Sequence, residues 1–329
     1  LGVTPLDDLT LEEDLSLGRV SIVHGATAEV IWCEDNGDEV TSTCHLSPAL
    51  DPRCVAGDWV GLKNGQVVVV LPRRSALRRP DPNGRDIQVL AANLDFVLMV
   101  VPIDRGLNVR MLERFSIMAW ESGAQPFVVL TKSDEASDIE SLLIETRLAV
   151  PGVEILTTSS QNGEGIEHLR ELLHEGVTAV MLGASGAGKT SLLNALEGSE
   201  ETTRTLNRSG EGRHATTTRK LYRLSSGGVL LDIPGIRLLD LMVGQEGIEE
   251  TFSDISEIAL GCRFRDCQHH GDLGCAVEAA VASGELSPRR LENWRLIQAE
   301  LTHQEHRRSA EEMTKQRRRR PTPRDDQRD

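Results

Sequence analysis

The chain has 329 residues, enough for two or three domains with buried cores. Its 36 Lys plus Arg against 51 Asp plus Glu leave a net charge of -15, which argues against a generic polyanion binder. No apolar run approaches the ~20 residues that cross a bilayer, the acidic N-terminus has no signal-peptide character, and six cysteines are too few for a disulfide scaffold, so a soluble cytoplasmic protein without membrane contact is expected.

Residues 1–17 are acidic and mostly polar and read as a flexible leader. From Gly18 to Leu71 short alternating runs, 19–23, 28–32, 58–62 and 67–71, are broken by turn residues, with Asn64-Gly65 as a hairpin signal. Strands this short and close predict a small five-stranded barrel. Cys33, Cys44 and Cys54 have no accompanying His and read as ordinary barrel cysteines. The stretch 73–84, with Arg73, Arg74, Arg78 and Arg79, reads as a basic linker. Beyond Leu94, apolar strands at 97–101, 127–130, 155–156, 180–182 and 229–231 alternate with helical stretches at 109–122, 139–149, 166–174 and 189–196. That rhythm predicts a parallel sheet covered by helices.

The motifs sit at strand ends. Thr131-Lys132-Ser133-Asp134 follows an apolar run and fits [NT]-K-x-D. Asp134 can accept from both N1–H and the 2-amino group of guanine, donors that adenine lacks. The Lys132 stem can lie along the ring, and Thr131 stands where Asn is commoner. In the loop with Ser159 and Ser160 a backbone N–H can meet the guanine O6. Gly183-Ala184-Ser185-Gly186-Ala187-Gly188-Lys189-Thr190 matches the phosphate-loop pattern between a strand and a helix. Its backbone N–H groups can wrap a phosphate, Lys189 can neutralise the β- and γ-phosphates, and the Thr190 hydroxyl can ligate Mg²⁺. Ser191 is counted with this set.

Between that loop and Asp232-Ile233-Pro234-Gly235 lies Gly212-Arg213-His214-Ala215-Thr216-Thr217-Thr218, where a switch segment belongs. Thr216, ahead of Thr217, is favoured as the Mg²⁺ ligand, and Thr218 reads as a strand entry. Asp232 can hold a Mg²⁺-bound water while the Gly235 amide meets the γ-phosphate. Ile236 occupies the place where many GTPases carry a water-orienting Gln, which leaves His214 as the nearest candidate for that role. Further on, Cys262, Cys267, His269 and Cys275 supply a ligand set suited to one tetrahedral structural Zn²⁺, with His270 as the alternative to His269. A helical stretch at 291–312 and the run Arg317–Arg320 precede a Pro-containing charged end, read as a tail rather than a long helix.

The order of these motifs is unusual: the base-reading loops precede the phosphate loop. This order, with Ala56-Gly57-Asp58-Trp59-Val60, Leu71-Pro72-Arg73-Arg74-Ser75, Leu90-Ala91-Ala92-Asn93-Leu94-Asp95, Gly212-Arg213-His214 and the Cys/His spacing, resembles the bacterial ribosome small-subunit-dependent GTPase family, RsgA or YjeQ. Ala215 departs from the family pattern, in which threonine follows the His directly. The resemblance implies a multidomain α/β protein: a leader at 1–17, an N-terminal OB-fold β-barrel at 18–79, a circularly permuted P-loop GTPase domain at 80–243, a C-terminal helical zinc-binding domain at 244–301 and a charged tail at 302–329. It also implies GTP/GDP, Mg²⁺ and one Zn²⁺ as bound species. Its implied activity is GTP hydrolysis stimulated by the small ribosomal subunit and its rRNA during late maturation. Nothing in the sequence suggests a dimer seam, so a monomer is expected. A nucleotide-gated RNA-binding module with incidental turnover and a GTPase serving another RNA are the competing readings.

Overall fold

The computed structural model describes residues 14–33, 38–80, 87–198, 220–232 and 244–319. Alternating apolar residues in short strands produce a closed barrel of β1 (Ser16–His24), β2 (Thr27–Cys33), β3 (Glu39–Leu46), β4 (Trp59–Lys63) and β5 (Gln66–Val70), in the order β1-β2-β3-β5-β4. Val20, Ala28, Val30, Val60, Leu62 and Val67 fill its interior. The hairpin expected at Asn64-Gly65 joins β4 to β5, with both residues at positive φ as a mirror-image turn requires. Cys44 and Cys54 are buried, and Cys33 is exposed at the end of β2. Strand β3 has no counterpart among the expected runs, because Cys44 is its only buried residue.

Of the stretch expected as a linker, residues 76–80 form a strand instead. Strand β6 (Ala76–Pro80) pairs antiparallel with β7 (Ile87–Ala92), and Leu77, Leu90 and Ala91 are fully buried. The boundary expected between residues 79 and 80 therefore falls inside this ribbon. Two of its neighbouring arginines are internally engaged: Arg73 grips buried Asp58 through two hydrogen bonds of 2.7 and 2.8 Å, and Arg74 pairs with Asp95 at 3.1 Å.

The central sheet has the order β10-β9-β8-β11-β13-β12. Strands β8 (Phe96–Pro102), β9 (Gln125–Thr131), β10 (Glu154–Thr158), β11 (Thr178–Leu182) and β13 (Val229–Asp232) are parallel, and the edge strand β12 (Lys220–Arg223) is antiparallel. Both faces are apolar, as a parallel sheet between helices demands. Val97, Met99, Val101, Val128 and Leu130 meet Leu112, Phe115 and Ala119 of α1 (Val109–Glu121). On the other face Leu98, Val100, Phe127 and Val129 meet Ile166 and Leu169 of α3 (Ile166–Leu172) and Leu192, Leu193 and Leu196 of α4 (Lys189–Glu197). Helix α2 is Ile139–Ala149. Asn108 caps α1, its side chain accepting from the Met111 amide at 3.1 Å.

The C-terminal part comprises α5 (Gln245–Thr251), α6 (Ser253–Ala259), α7 (Ala276–Ser283) and α8 (Pro288–Arg319) around Ile248, Phe252, Ile255, Val277 and Leu291. Helix α8 runs without a break through the boundary expected at 301/302, and the helix expected at 291–312 extends to Arg319. Its Gln, Glu, Ala, Met, Lys and Arg are good helix formers, and Pro321 and Pro323 come only after it. No described helix is long and apolar enough to cross a membrane.

Helix α1 is shared between sheet and C-terminal part, and a buried ionic cluster fastens the two. The Arg290 guanidinium donates to Glu113 (2.8 Å), to Asp254 (2.9 and 3.1 Å) and to the carbonyls of Ala149 (2.8 Å) and Thr251 (2.7 Å). It also lies 4.1 Å over the Phe252 ring. Glu113 is fully buried and also accepts from Asn293 at 2.9 Å. Burial pushes its carboxyl above the ordinary value, while Arg290 and Asn293 pull it back. Replacing Arg290 by Met leaves Glu113 buried beside an apolar side chain. The expected loss is about 3–5 kcal/mol of stability, read by denaturant unfolding, with Glu113→Gln in the same chain recovering part of it.

Candidate nucleotide site and metal cluster

In a parallel sheet every strand releases its loop at the same edge, and here the carboxyl ends of β9, β10, β11 and β13 deliver the nucleotide motifs together. Thr131 ends β9, Thr158 ends β10, Leu182 ends β11 directly before Gly183, and Asp232 ends β13. The phosphate loop, residues 183–188, opens α4, whose N-terminal amides favour an anion. A Cβ on Gly183 would stand 2.6 Å from the Val100 carbonyl oxygen, so only glycine lets the loop press against β8. Lys189 Nζ donates to the carbonyls of Gly183 (2.7 Å) and Ala184 (2.9 Å), which ties the ammonium to the start of the loop. Ala187 is buried, Ser185 and Gly186 are exposed, and Thr190 and Ser191 are exposed on the first turn of α4.

The two motif classes touch. Thr131 Oγ1 donates to the Ala187 carbonyl at 2.6 Å, so the threonine that stands in for asparagine makes a direct link from base-reading loop to phosphate loop. Lys132 is left-handed (φ 62), and Ser133–Glu135 forms a single 3-10 turn that presents Asp134 to solvent. Lys132 Nζ reaches Asp104 Oδ2 at 2.7 Å, and this hydrogen bond holds the Asp104 carboxyl below the usual carboxylate range. Buried Ser159 closes the β10 loop by accepting from the amides of Gln161 and Asn162 at 3.1 and 3.3 Å. Thr131, Lys132, Asp134, Ser160 and Asn194 line one cleft of about 610 Å³. His214, Thr216, Thr217 and Gly235 lie outside the described residues, as does the side chain of Asp232.

Cys262, Cys267, His269 and Cys275 converge with all four ligand atoms within 4.8 Å of one another. His269 Nδ1 stands 3.6, 3.4 and 3.3 Å from the sulfurs of Cys262, Cys267 and Cys275. The edge of a tetrahedron with ordinary Zn–S and Zn–N bonds is about 3.5 Å, so the cluster has the size and the donor chemistry of a closed zinc site. His270 is exposed and outside it. Trp294 of α8 packs on the His269 ring at 5.3 Å, and Arg295 donates to the His269 carbonyl and to Glu278.

The profile of the family described as RsgA GTPase matches residues 70–242. The chain is 41% identical over 299 residues to the small ribosomal subunit biogenesis GTPase RsgA of Streptomyces coelicolor, covering 88% of this chain and 81% of that protein. It is 35% identical over 308 residues to RsgA 2 of Lactiplantibacillus plantarum, covering 90% and 86%. This chain belongs to the RsgA GTPase family. Among solved structures, YjeQ from Thermotoga maritima superposes with a TM-score of 0.64 at 27% identity, over 88% of this chain and 99% of that one. YloQ, a circularly permuted GTPase, shares the fold with a TM-score of 0.61 at 22% identity, over 90% and 98%.

Membership in the RsgA family makes this chain a GTPase that binds guanine nucleotide. Sequence reading missed Asp104 and Glu164, because neither lies in a nucleotide motif and only the tertiary fold brings them to Lys132 and Ser133. The Thr131–Ala187 bond joins two buried groups, so Thr131→Val keeps the shape and orphans a buried carbonyl. The expected cost is about 1–3 kcal/mol of stability, measured by chemical denaturation without nucleotide.

Proposed function

We propose that this GTPase acts on the small ribosomal subunit, assisting its late maturation in the cytoplasm as a monomer and leaving when GTP is hydrolysed. The observation that carries the reading is the joined base and phosphate loops at one sheet edge. The RsgA relatives are named for small ribosomal subunit biogenesis, and that name supplies the partner. The rRNA of the subunit is the expected contact for the barrel, since OB-type barrels read nucleic-acid shape and backbone.

In this reading Asp134 accepts from the guanine N1–H and 2-amino groups, with Lys132 along the ring and Ser159 and Ser160 at the O6 side. Residues 183–191 cradle the phosphates, and Lys189 exchanges its carbonyl partners for phosphate oxygens. Thr190, Thr216 and Asp232 would hold Mg²⁺, which supplies charge neutralisation on the transferring phosphoryl group. Thr217 and Gly235 complete the γ-phosphate contacts. Ile236 offers no polar group to water, so His214 takes the role of orienting it. Cys262, Cys267, His269 and Cys275 would hold a structural Zn²⁺, since four protein ligands leave no open position for chemistry.

Three measurements test this. GTP hydrolysis by the full chain is expected to rise strongly with small ribosomal subunits and not with large ones; equal slow turnover in both would overturn the partner. His214→Ala is expected to lower the stimulated rate by about 100-fold or more while GDP binding is retained. Purified protein is expected to carry one zinc per chain by elemental analysis, and Cys275→Ser to lose it together with C-terminal thermal stability.

A further inference from the structure

One side chain outside every nucleotide motif connects the two base-reading loops. Glu164 lies in the turn between β10 and α3. Its Oε2 accepts from the Ser133 hydroxyl at 2.7 Å, and its Oε1 accepts from the Thr157 hydroxyl at 3.3 Å. Its main chain is held as well: the carbonyl accepts from the Ser159 amide at 3.0 Å, and the amide donates to Asn162 Oδ1 at 2.9 Å. The next residue, Gly165, has φ +70, and a Cβ there would stand 2.2 Å from the Thr157 carbonyl oxygen. The backbone thus allows a single path past β10, and that path delivers the Glu164 carboxylate to the base-reading turn.

Ser133 is buried and sits between Lys132 and Asp134 in the 3-10 turn. A serine hydroxyl has one proton to donate, and a carboxylate only accepts, so the Ser133 proton is committed to Glu164. The short contact to a charged acceptor fixes the Ser133 rotamer and, through it, the turn from which Asp134 projects. Asp134 itself is exposed and makes no such tie to the neighbouring loop. Its aim depends on the turn.

We propose that Glu164 is a positioning residue for guanine selectivity, holding the Asp134 turn through the Ser133 hydroxyl while it pins the Ser159 loop on the other side of the base. The proposal rests on Asp134 as the guanine reader. Glu164 does not line the cleft, so its removal is expected to act on the base-dependent part of the affinity and to leave the phosphate-dependent part alone.

The test is displacement of a fluorescent GDP analogue from the full chain by GDP, ADP and xanthosine diphosphate. Glu164→Ala and Ser133→Ala are each expected to weaken GDP by about fivefold and to leave the weak ADP affinity unchanged. The double variant is expected to be no weaker than either single one, because both remove the same bond. Glu164→Gln, which can still accept from Ser133, is expected to lie between wild type and Glu164→Ala. Equal losses for GDP and ADP, or losses that multiply in the double variant, would overturn the proposal and leave Glu164 as a general support of the fold. Asp134→Asn distinguishes the two levels: its amide can donate to the xanthine O2, so xanthosine diphosphate should gain over GDP. If that exchange fails, the reader itself is misassigned and the role of Glu164 goes with it. If it succeeds while Glu164→Ala is silent, only the positioning role is lost.

Discussion

A parallel sheet buried on both faces imposes the constraint on which the nucleotide site depends. Strands that run the same way need a crossover between neighbours, and here the crossovers are helices that cover Leu98, Val100 and Val129 on one face and Val97, Met99 and Val101 on the other. All the outgoing loops then gather at one edge, whichever strand comes first in the chain. Placing β8, β9 and β10 before β11 leaves the base-reading loops beside the phosphate loop, close enough for Thr131 to bond Ala187. What permutation changes is which segments continue into the outer domains. In the sequence only residues 233–243 separate β13 from α5, and α5 packs on α1 through the Gly247 amide and Glu121 (2.7 Å) and the Thr251 and Ser116 hydroxyls (2.9 Å).

Helix α1 therefore has two jobs that compete for its surface. Leu112, Phe115 and Ala119 face the sheet, while Glu113, Ser116 and Ile117 face the C-terminal part. A wholly apolar second face would bind any apolar partner in several registers. The Glu113–Arg290–Asp254 cluster accepts one arrangement, because each guanidinium nitrogen has a defined acceptor. The barrel is attached by the same logic. Arg19 of β1 is fully buried, donates to Thr178 Oγ1 at 2.7 Å at the start of β11, and lies 5.0 Å from the Trp59 ring. Burial lowers its pKa to about 10, still far above neutrality, so it crosses the interface as a cation.

The candidate site was legible in the sequence where a motif fixes backbone and side chain together. The phosphate-loop motif, Thr131 to Asp134 and the Cys/His cluster each lie within a short run of chain, fourteen residues at most (262 to 275), so local rules reached them. Strand β3 escaped because seven of its eight residues are partly or fully exposed and no apolar alternation marks it. Strands β6 and β7 escaped because Arg, Pro and Gly signal a linker, whereas Leu77, Leu90 and Ala91 bury enough surface to order the ribbon. The last turns of α8, beyond residue 312, escaped because Pro321 and Pro323 signal an end that the helix formers before them postpone to Arg319. Asp104, Glu164 and Arg290 act across separations that no local pattern encodes.

The same long-range pairing changes what the charge of the chain means. A count of Arg and Lys suggests where anions bind, but several of the arginines serve the fold. Arg73 holds Asp58, Arg74 holds Asp95, Arg170 donates to the last carbonyls of α4 at Ala195 and Leu196, and Arg290 and Arg295 serve the C-terminal part. Arg78, Arg105, Arg263 and Arg265 are among those left exposed. With a net charge of -15, long-range attraction to a polyanion is weak, and scattered arginines contribute only within a Debye length. For an RNA partner this balance disfavours loose binding and rewards a surface whose shape brings several exposed arginines to phosphates at once. Selectivity for such a partner would come from geometry, the same device by which the buried cations select one packing of the domains.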